Sequence, residues 1–476
     1  MFLSDIINGL EYKYTSNYSD TEITGVCCDS NALKKGEIFV CVKGADRDGH
    51  AYAKEAVKKG AAAIIASEEL NIESVPVIYS EDTGKTLAEA SAAFYSHPEK
   101  KLRVIGITGT NGKTTVSYML KNILERCGYK VGLIGTVQNL IGDDAYPASL
   151  TTPPAPELFG LLGKMEAEGV NYVVMEVSSH SLSRDRVYGI DFAMGIMTNI
   201  TLDHLDFHKT EEDYAGAKAL LFKNSRISVL NKDDKYYEMM KEAASGIVVS
   251  YSKTKDDADV CGYDLLSNIN GISFNVKTDE ETYRAYMPLP GSFNAENALA
   301  AIAAATALKI PSGFTKMALK VQKGIPGRIE KIETGKDFSV IIDYAHTPDG
   351  LLKILKTLNE IKEARLITLF GCGGDRDRSK RPVMGKIACE NSDLVIITSD
   401  NPRSESPEAI IADITAGAVG GNYKVIPDRR EAIKYALSAA EKGDIILLAG
   451  KGHETYQITS DGKKHFDERE IIEELL

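Results

Sequence analysis

The run Gly109-Thr110-Asn111-Gly112-Lys113-Thr114-Thr115 stands just behind the apolar stretch Arg103-Val104-Ile105-Gly106-Ile107. A strand that opens into a glycine-containing loop and then a helix is how a chain cradles the phosphates of a nucleoside triphosphate. Gly109 and Gly112 let backbone amides turn inward without a Cβ clash, Lys113 can neutralise β/γ-phosphate charge, and the Thr114 hydroxyl can ligate Mg²⁺. The helix expected over residues 116–126 points the positive end of its dipole at the anion. The common phosphate-loop spacing would put a glycine where Ile107 stands, so the loop is a shortened variant.

The chain has 476 residues, which suggests about three domains. Hydrophobic residues at 43% and charged residues at 26% are ordinary for a globular protein. No apolar run approaches the roughly 18 residues that cross a bilayer, and Met1-Phe2-Leu3-Ser4-Asp5 has no basic region leading into an apolar one. Membrane insertion is therefore not expected, and a cytoplasmic location is. A net charge of −12 argues against nucleic acid as the main partner, while leaving room for an anionic small substrate in a local basic pocket. The seven cysteines, Cys27, Cys28, Cys41, Cys127, Cys261, Cys372 and Cys389, lack metal-ligand spacing, and most sit among apolar neighbours. That usage fits a reducing compartment.

The pattern predicts an α/β fold of three domains: a small N-terminal α/β domain (1–98), a central phosphate-loop, ATP-binding doubly wound sheet (99–325) and a C-terminal Rossmann-like α/β domain (326–476). In the first, residues 38–42 and 62–66 read as strands around a helix at 51–59, and the polar His97-Pro98-Glu99-Lys100-Lys101 marks its end. In the second, residues 172–176 and 193–198 read as buried parallel strands, and the alanine-rich stretch 295–308 as a closing helix. In the third, strands are expected at 339–343, 366–370, 394–398 and 445–449. Several of these carry polar residues or glycines at their carboxyl ends, where open α/β sheets bind ligands.

Glu176 ends an apolar strand and leads into Val177-Ser178-Ser179-His180. It is placed either to reach Mg²⁺ or as a strand-end carboxylate facing solvent. Beyond the next strand, residues 198–208 crowd His204 and His208 among Asp203 and Asp206, which makes His204 a structural histidine or a second metal or substrate ligand. Lys218 interrupts a small, apolar helix face and reads by itself as a surface lysine lying along it. Asn231-Lys232-Asp233-Asp234 after a strand matches the guanine-reading element of GTPases. A GTPase-like switch is thus a rival reading from a different class.

Five segments together resemble the Mur ligase family: residues 109–115, 176–180, 199–204, Gly291-Ser292-Phe293-Asn294-Ala295-Glu296-Asn297, and Asp343-Tyr344-Ala345-His346-Thr347-Pro348. They occur in family order across nearly the whole chain. Asp400-Asn401-Pro402-Arg403 and Gly450-Lys451-Gly452-His453-Glu454 resemble the amino-acid site of the branch that adds a third residue to UDP-N-acetylmuramoyl-L-alanyl-D-glutamate. The Asn-Pro-Arg form resembles enzymes that add meso-2,6-diaminopimelate rather than L-lysine. Folylpolyglutamate synthetase-like ligases share the fold and chemistry and are the nearest enzymatic rival.

The resemblance implies an ATP-dependent amide ligase of peptidoglycan precursor synthesis, monomeric, working through an acyl phosphate with Mg²⁺. Lys113, Glu176, His204 and Lys218 would be catalytic; Thr114, Glu176, His204 and Lys218, the last as N6-carboxylysine, would hold metal. ATP would be bound by Gly109, Thr110, Asn111, Gly112, Lys113, Thr114, Thr115, Asn297, Arg328 and Asp343. The UDP-muramoyl dipeptide would meet Ser30, Thr151, Thr152, Ser178, Arg184 and Arg186, with residues 28–30 and 44–50 aligning with uridine-binding segments. The amino acid would meet Arg376, Asp400, Asn401, Pro402, Arg403, Gly450 and Glu454. Arg403 or Arg376 can pair with the distal carboxylate of diaminopimelate while Glu454 accepts from its ammonium. Arg403 could instead only stabilise its own loop.

Overall fold

The computed structural model describes residues 1–44, 47–201 and 207–476. Two compact units emerge: Met1–Cys261 with Asn297–Thr315, and Gly262–Glu296 with Lys316–Leu476. Each is α/β.

The first unit contains two sheets. The smaller has five strands in the order Tyr14–Ser16, Val77–Tyr79, Ala63–Ala66, Glu37–Val40, Gly25–Cys27. All pairs are parallel except the edge strand Tyr14–Ser16. The helix Thr83–Phe94 packs here, started by Asp82, whose carboxylate accepts from the Gly84 and Lys85 amides.

The larger sheet explains where the phosphate loop lies. Arg103–Thr108 is its central strand, flanked by Tyr172–Glu176 on one side and Met194–Met197 on the other, all parallel. The chain first winds outward through Val131–Ile134, returns to Tyr172–Glu176, then crosses to Met194–Met197 and continues to Ile227–Asn231 and Ile247–Ser252. The order therefore reverses at the central strand, which opens the crevice beyond its carboxyl end where ligands bind in open α/β sheets. Two antiparallel strands, Gln138–Ile141 and Asp144–Pro147, extend the edge beside Val131–Ile134 and depart from a purely doubly wound order.

The predicted strands and helices are present with ends shifted by a few residues: Lys113–Arg126 for the phosphate-loop helix, Met194–Met197 for 193–198, and Phe293–Ala307 for 295–308. The stretch at 51–59 splits into a short 3₁₀ turn, Gly49–Tyr52, and the helix Ala53–Lys58.

In the second unit, six strands run in the order Glu330–Ile332, Ser339–Asp343, Ile445–Ala449, Leu366–Phe370, Leu394–Ile397, Tyr423–Val425. Only the first is antiparallel to its neighbour. Alternate strand residues feed two cores: Ile341, Leu447 and Val395 meet the helices Pro348–Ile361, Lys380–Asn391 and Pro407–Thr415, while Val340, Leu448 and Ile396 meet Arg429–Ala439 and Glu468–Leu475. The helix Pro348–Ile361 shows the cause plainly. Leu351, Ile354, Leu355, Leu358 and Ile361 recur on one face and are buried, and Thr347 caps its start by accepting from the Gly350 amide. The unit also holds two antiparallel hairpins, Gly271–Lys277 with Thr282–Met287 and Tyr456–Thr459 with Gly462–His465.

Gly106, in the middle of the phosphate-loop strand, sets how closely the helix Glu211–Lys223 can pack. A Cβ at this position would stand 2.8 Å from Leu221 Cδ1 and 2.9 Å from the Phe192 ring. Gly106→Val is expected to push that helix outward, lower the melting temperature by several degrees at a cost of about 1–3 kcal/mol, and weaken nucleotide binding. Differential scanning fluorimetry with and without ATP measures both effects.

Candidate active site

The phosphate loop is gripped by the segment that follows the neighbouring strand. Thr198 Oγ1 donates to the Asn111 carbonyl at 2.6 Å, and Asn199 brackets the same residue, donating to its carbonyl and accepting from its amide, both at 3.1 Å. The Thr110 amide donates to the Asn199 carbonyl at 2.7 Å. These contacts explain the glycines. A Cβ on Gly109, at φ +149°, would fall 1.8 Å from Thr198 Oγ1, and one on Gly112, at φ +86°, 2.3 Å from Asn297 Oδ1.

Two lysines converge on one carbonyl. Lys113 Nζ donates to Gly109 O and Thr110 O, each at 2.9 Å, and Lys218 Nζ donates to Gly109 O, also at 2.9 Å. Lys218 is 1% exposed and lies 4.4 Å from the Tyr214 ring centre. The surface-lysine reading is thus corrected: the small residues around Lys218 let its helix approach the sheet, so the side chain runs inward to the loop. His204, with the rest of 202–206, lies outside the described residues.

Glu176 is 1% exposed, which removes the solvent-facing alternative. Its oxygens accept from the Thr136 amide and the Thr136 hydroxyl, both at 2.9 Å, so the carboxylate is fixed while keeping lone pairs for a further partner. The Thr136 and Thr151 hydroxyls lie 3.1 Å apart. Thr152 Oγ1 donates to the Glu176 carbonyl at 2.8 Å and accepts from the Ser178 amide at 3.0 Å, while Arg186 Nη1 donates to the Thr152 carbonyl at 2.9 Å. Ser178 in turn caps the helix Ser179–Ser183. The structure therefore joins Glu176, Thr151, Thr152, Ser178 and Arg186 in one network, and Arg184 rests over the Phe207 ring at 4.9 Å.

Arg186 also feels the first sheet. Burial and the Arg184 charge push its pKa down, partly opposed by the Cys28 thiol, and burial pushes Cys28 up to about 11. Ser30, next along from Cys28 and Asp29, is buried, its carbonyl accepting from Lys59 Nζ at 2.8 Å.

The second unit gathers its own set at the carboxyl ends of its strands. Asn401 Nδ2 donates to Glu454 Oε2 at 2.8 Å, and Gln457 Nε2 donates to the Asp400 carbonyl at 2.6 Å. Gly450, at φ +112°, lets its turn close on Asp400: a Cβ there would meet Asp400 Oδ2 at 2.7 Å. Arg403 Nη1 donates to the Gly374 carbonyl at 2.7 Å, and among the described residues its Nε and Nη2 make no hydrogen bond. Loop support and a free donor edge coexist in this one side chain. Arg376, on the adjoining loop, is exposed, its Nη1 only 3.5 Å from the Asp375 carbonyl. Burial raises the Glu454 pKa against the lowering effect of Asn401 and Lys451. Asp343 accepts from the Ile329 and Ala345 amides, each at 2.9 Å, and Arg328 lies 5.2 Å from the Tyr344 ring centre, its buried Nε making no hydrogen bond among the described residues.

The profile of the Mur ligase middle domain matches residues 107–305, that of the glutamate ligase domain 327–452, and that of the Mur ligase catalytic domain 22–101. A UDP-N-acetylmuramoyl-L-alanyl-D-glutamate--2,6-diaminopimelate ligase of Caldanaerobacter subterraneus is 48% identical over 480 residues, covering 100% of this chain and 99% of its own. The chain belongs to the Mur ligase family. The ligase of the same name from Clostridium botulinum is 45% identical with the same coverage. A solved structure of a ligase with this name is 33% identical, with a TM-score of 0.69 over 95% of this chain and 94% of that one. A Mycobacterium tuberculosis folylpolyglutamate synthase shares the fold at 19% identity, with a TM-score of 0.64 over 76% of this chain and 91% of its own.

Within this Mur ligase the GTPase-like reading of residues 231–234 is wrong, and the geometry supplies the reason. Asn231 Nδ2 donates to the Thr198 carbonyl at 2.8 Å, and Asp234 Oδ2 accepts from the Ile200 amide at 2.7 Å. The motif's side chains are committed to bracing the segment that grips the phosphate loop. Thr136 escaped sequence reasoning because a threonine in a strand-end turn carries no signal until the fold sets it against Glu176. The buried cations Arg381, Arg429 and Lys451 were missed as well, since charge in sequence is read as surface. Among the described residues, no helix is long and apolar enough to cross a membrane. The donor set for a divalent cation fits hard-ion chemistry: Glu176 is an anchored carboxylate and Thr114 a buried hydroxyl on the phosphate-loop helix.

Near this second set, burial together with the Arg328, Arg469 and His346 charges pushes His453 down to about 4. The unfolded chain takes up this proton near 6.5, whereas the folded protein resists until about 4. Stability contributed by neutral His453 is therefore present above pH 6.5, falls as pH drops through that window by on the order of 3 kcal/mol, and is level below it. Urea midpoints measured from pH 7 to pH 4 are expected to fall less steeply for His453→Gln than for the unsubstituted protein.

Proposed function

We propose that this Mur ligase joins meso-2,6-diaminopimelate to UDP-N-acetylmuramoyl-L-alanyl-D-glutamate at the expense of ATP, in the cytoplasm, with divisions between its three domains near residues 98 and 325. The observation that carries this reading is identity of 42–48% along the full chain to ligases of that name. Supporting it is the set of Asp400, Asn401, Arg403 and Glu454 at one end of the second sheet, with a fixed carboxylate and a guanidinium edge left for a zwitterionic head.

The chemistry is charge management. The D-glutamate side-chain carboxylate must approach a triphosphate, so cations have to offset both before the reacting atoms align. A carboxylate oxygen attacks the γ-phosphorus, the bond from that phosphorus to the β–γ bridging oxygen breaks, and ADP leaves. The amine of the incoming amino acid, having lost its extra proton, adds to the acyl carbon. Collapse of the tetrahedral intermediate expels phosphate and leaves the amide.

Lys113 is positioned to exchange its loop carbonyls for phosphate oxygens, and the amides of 109–115 supply the remaining donors, with Asn297 beside Gly112 for the base. Arg328 and Asp343 are assigned to phosphate and ribose. Thr114, Glu176, His204 and a carbamylated Lys218 would hold Mg²⁺, which when bound supplies neutralisation of phosphate charge. Carbamylation joins the Nζ of the deprotonated amine to CO₂, two protons leaving in all from the ammonium, and turns a cation into an anionic oxygen ligand. Ser30, Thr151, Thr152, Ser178, Arg184 and Arg186 are assigned to the UDP-muramoyl dipeptide. Diaminopimelate offers a distal carboxylate to Arg403 or Arg376 and a distal ammonium to Glu454. L-Lysine offers the ammonium alone and would leave a guanidinium unpaired, at about 3–5 kcal/mol if desolvated.

Phosphate release is expected only when ATP, the UDP-muramoyl dipeptide and the diamino acid are all supplied, with meso-diaminopimelate far preferred to L-lysine. A coupled phosphate assay and mass spectrometry of the tripeptide product test this. Arg403→Ala should lower kcat/KM for diaminopimelate by about 100-fold while leaving ATP affinity intact. Equal turnover of the two amino acids would defeat the specificity argument.

A further inference from the structure

Lys451 has a side chain that is 0% exposed, although it lies in the turn Gly450-Lys451-Gly452 beside the amino-acid set. Its ammonium has three protons, and three acceptors surround it: the Tyr456 carbonyl at 2.6 Å, Asn401 Oδ1 at 3.2 Å and Glu454 Oε2 at 3.5 Å. Asp400 Oδ1 lies at 3.9 Å. No proton remains for a ligand, and no path reaches one from solvent. What Lys451 can do, it does through its neighbours.

Its effect on Asn401 is orientational. Asn401 Oδ1 faces two donors, Lys451 Nζ and the Ile458 amide at 2.9 Å, which forces the amide nitrogen round to Glu454. Oxygen and nitrogen ends of an asparagine differ little in shape, so the choice between them rests on such partners. The effect on Glu454 is selective. Oε2 is taken by Asn401 and Lys451, whereas Oε1 has no hydrogen bond among the described residues and is not a buried atom without a partner, so it opens outward.

We propose that Lys451 is a positioning and specificity-determining residue of the amino-acid site, holding Asn401 and Glu454 so that Glu454 Oε1 is turned to accept from the distal ammonium of the incoming diamino acid. This rests on the function proposed above. The glycines on either side serve the same end. Gly450 brings the turn against Asp400, and Gly452, at φ +57°, brings it against Tyr344, whose Cβ would lie 2.6 Å from a Cβ there.

The test is a double-mutant cycle in the full-length enzyme. Lys451→Met is expected to raise KM for meso-diaminopimelate by about 30-fold, with KM for ATP and for the UDP-muramoyl dipeptide changed less than about twofold. In a Glu454→Gln background the same substitution should add less than about threefold, because the oxygen it orients is gone. With 2-aminopimelate, which keeps both carboxylates and lacks the distal ammonium, the penalty of Lys451→Met should largely vanish. Penalties that multiply fully in the double mutant, or that fall equally on all three substrates, would show a merely structural lysine and overturn the proposal. Should Lys451→Met fail to fold, Lys451→Gln, which keeps a donor for the Tyr456 carbonyl without the charge, carries the same comparisons. Failure of the unsubstituted enzyme to use meso-diaminopimelate would remove the underlying function and is separable from additivity in the cycle.

Discussion

The Gly109 carbonyl is the point on which the first unit turns. It accepts from Lys113 and from the buried Lys218, while Thr198 fills the space that a side chain on Gly109 would need. Three elements distant in sequence, the central strand, the helix Glu211–Lys223 and the segment after Met194–Met197, are thereby locked to one loop. A loop so held keeps its amides aimed before any anion arrives, which is where preorganised binding of phosphate gains over a flexible glycine turn. The brace continues outward through Asn231 and Asp234, so the strand Ile227–Asn231 and the turn after it also act on it.

Both units use the same device for their polar sites. Anionic side chains stand at or just beyond the carboxyl ends of parallel strands, and each is held from behind by donors of the protein itself. Thr136 serves Glu176, and Lys451 with Asn401 serves Glu454. Arg429 does the same for backbone, donating to the Ser399 and Ala449 carbonyls at 3.3 and 3.0 Å while paired with buried Glu468. Those carbonyls immediately precede Asp400 and Gly450. Buried ions cost desolvation unless their bonds are satisfied, and here they fix the orientation of the groups beside them.

The phosphate loop, the strand ending in Glu176 and most strands of the second sheet were legible because their signals are local. An apolar run of a few residues followed by glycine, hydroxyls and lysine has few other uses, and parallel strands buried on both faces read as continuous apolar runs. The hairpin Gly271–Lys277 with Thr282–Met287 carries a strand's apolar–polar alternation, but over a longer window the polar residues 278–281 between its strands dilute that signal. Lys218 shows the same limit at a single residue. Its neighbours' small size looks like a surface helix until Gly106 lets that helix close on the sheet.

Sequence alone determined the identities that chemistry requires and the order in which they occur: the glycine loop, Glu176, the Asp-Asn-Pro-Arg and Gly-Lys-Gly-His-Glu runs. Only the tertiary structure decided which atoms of those residues are committed to the protein and which are left for a ligand. Lys218 became a core donor, Asn231 a brace, Glu454 a carboxylate with one oxygen occupied and one open. The physical reason is that a side chain's identity fixes how many hydrogen bonds it can make, while their partners come from segments tens or hundreds of residues away that folding alone brings within reach.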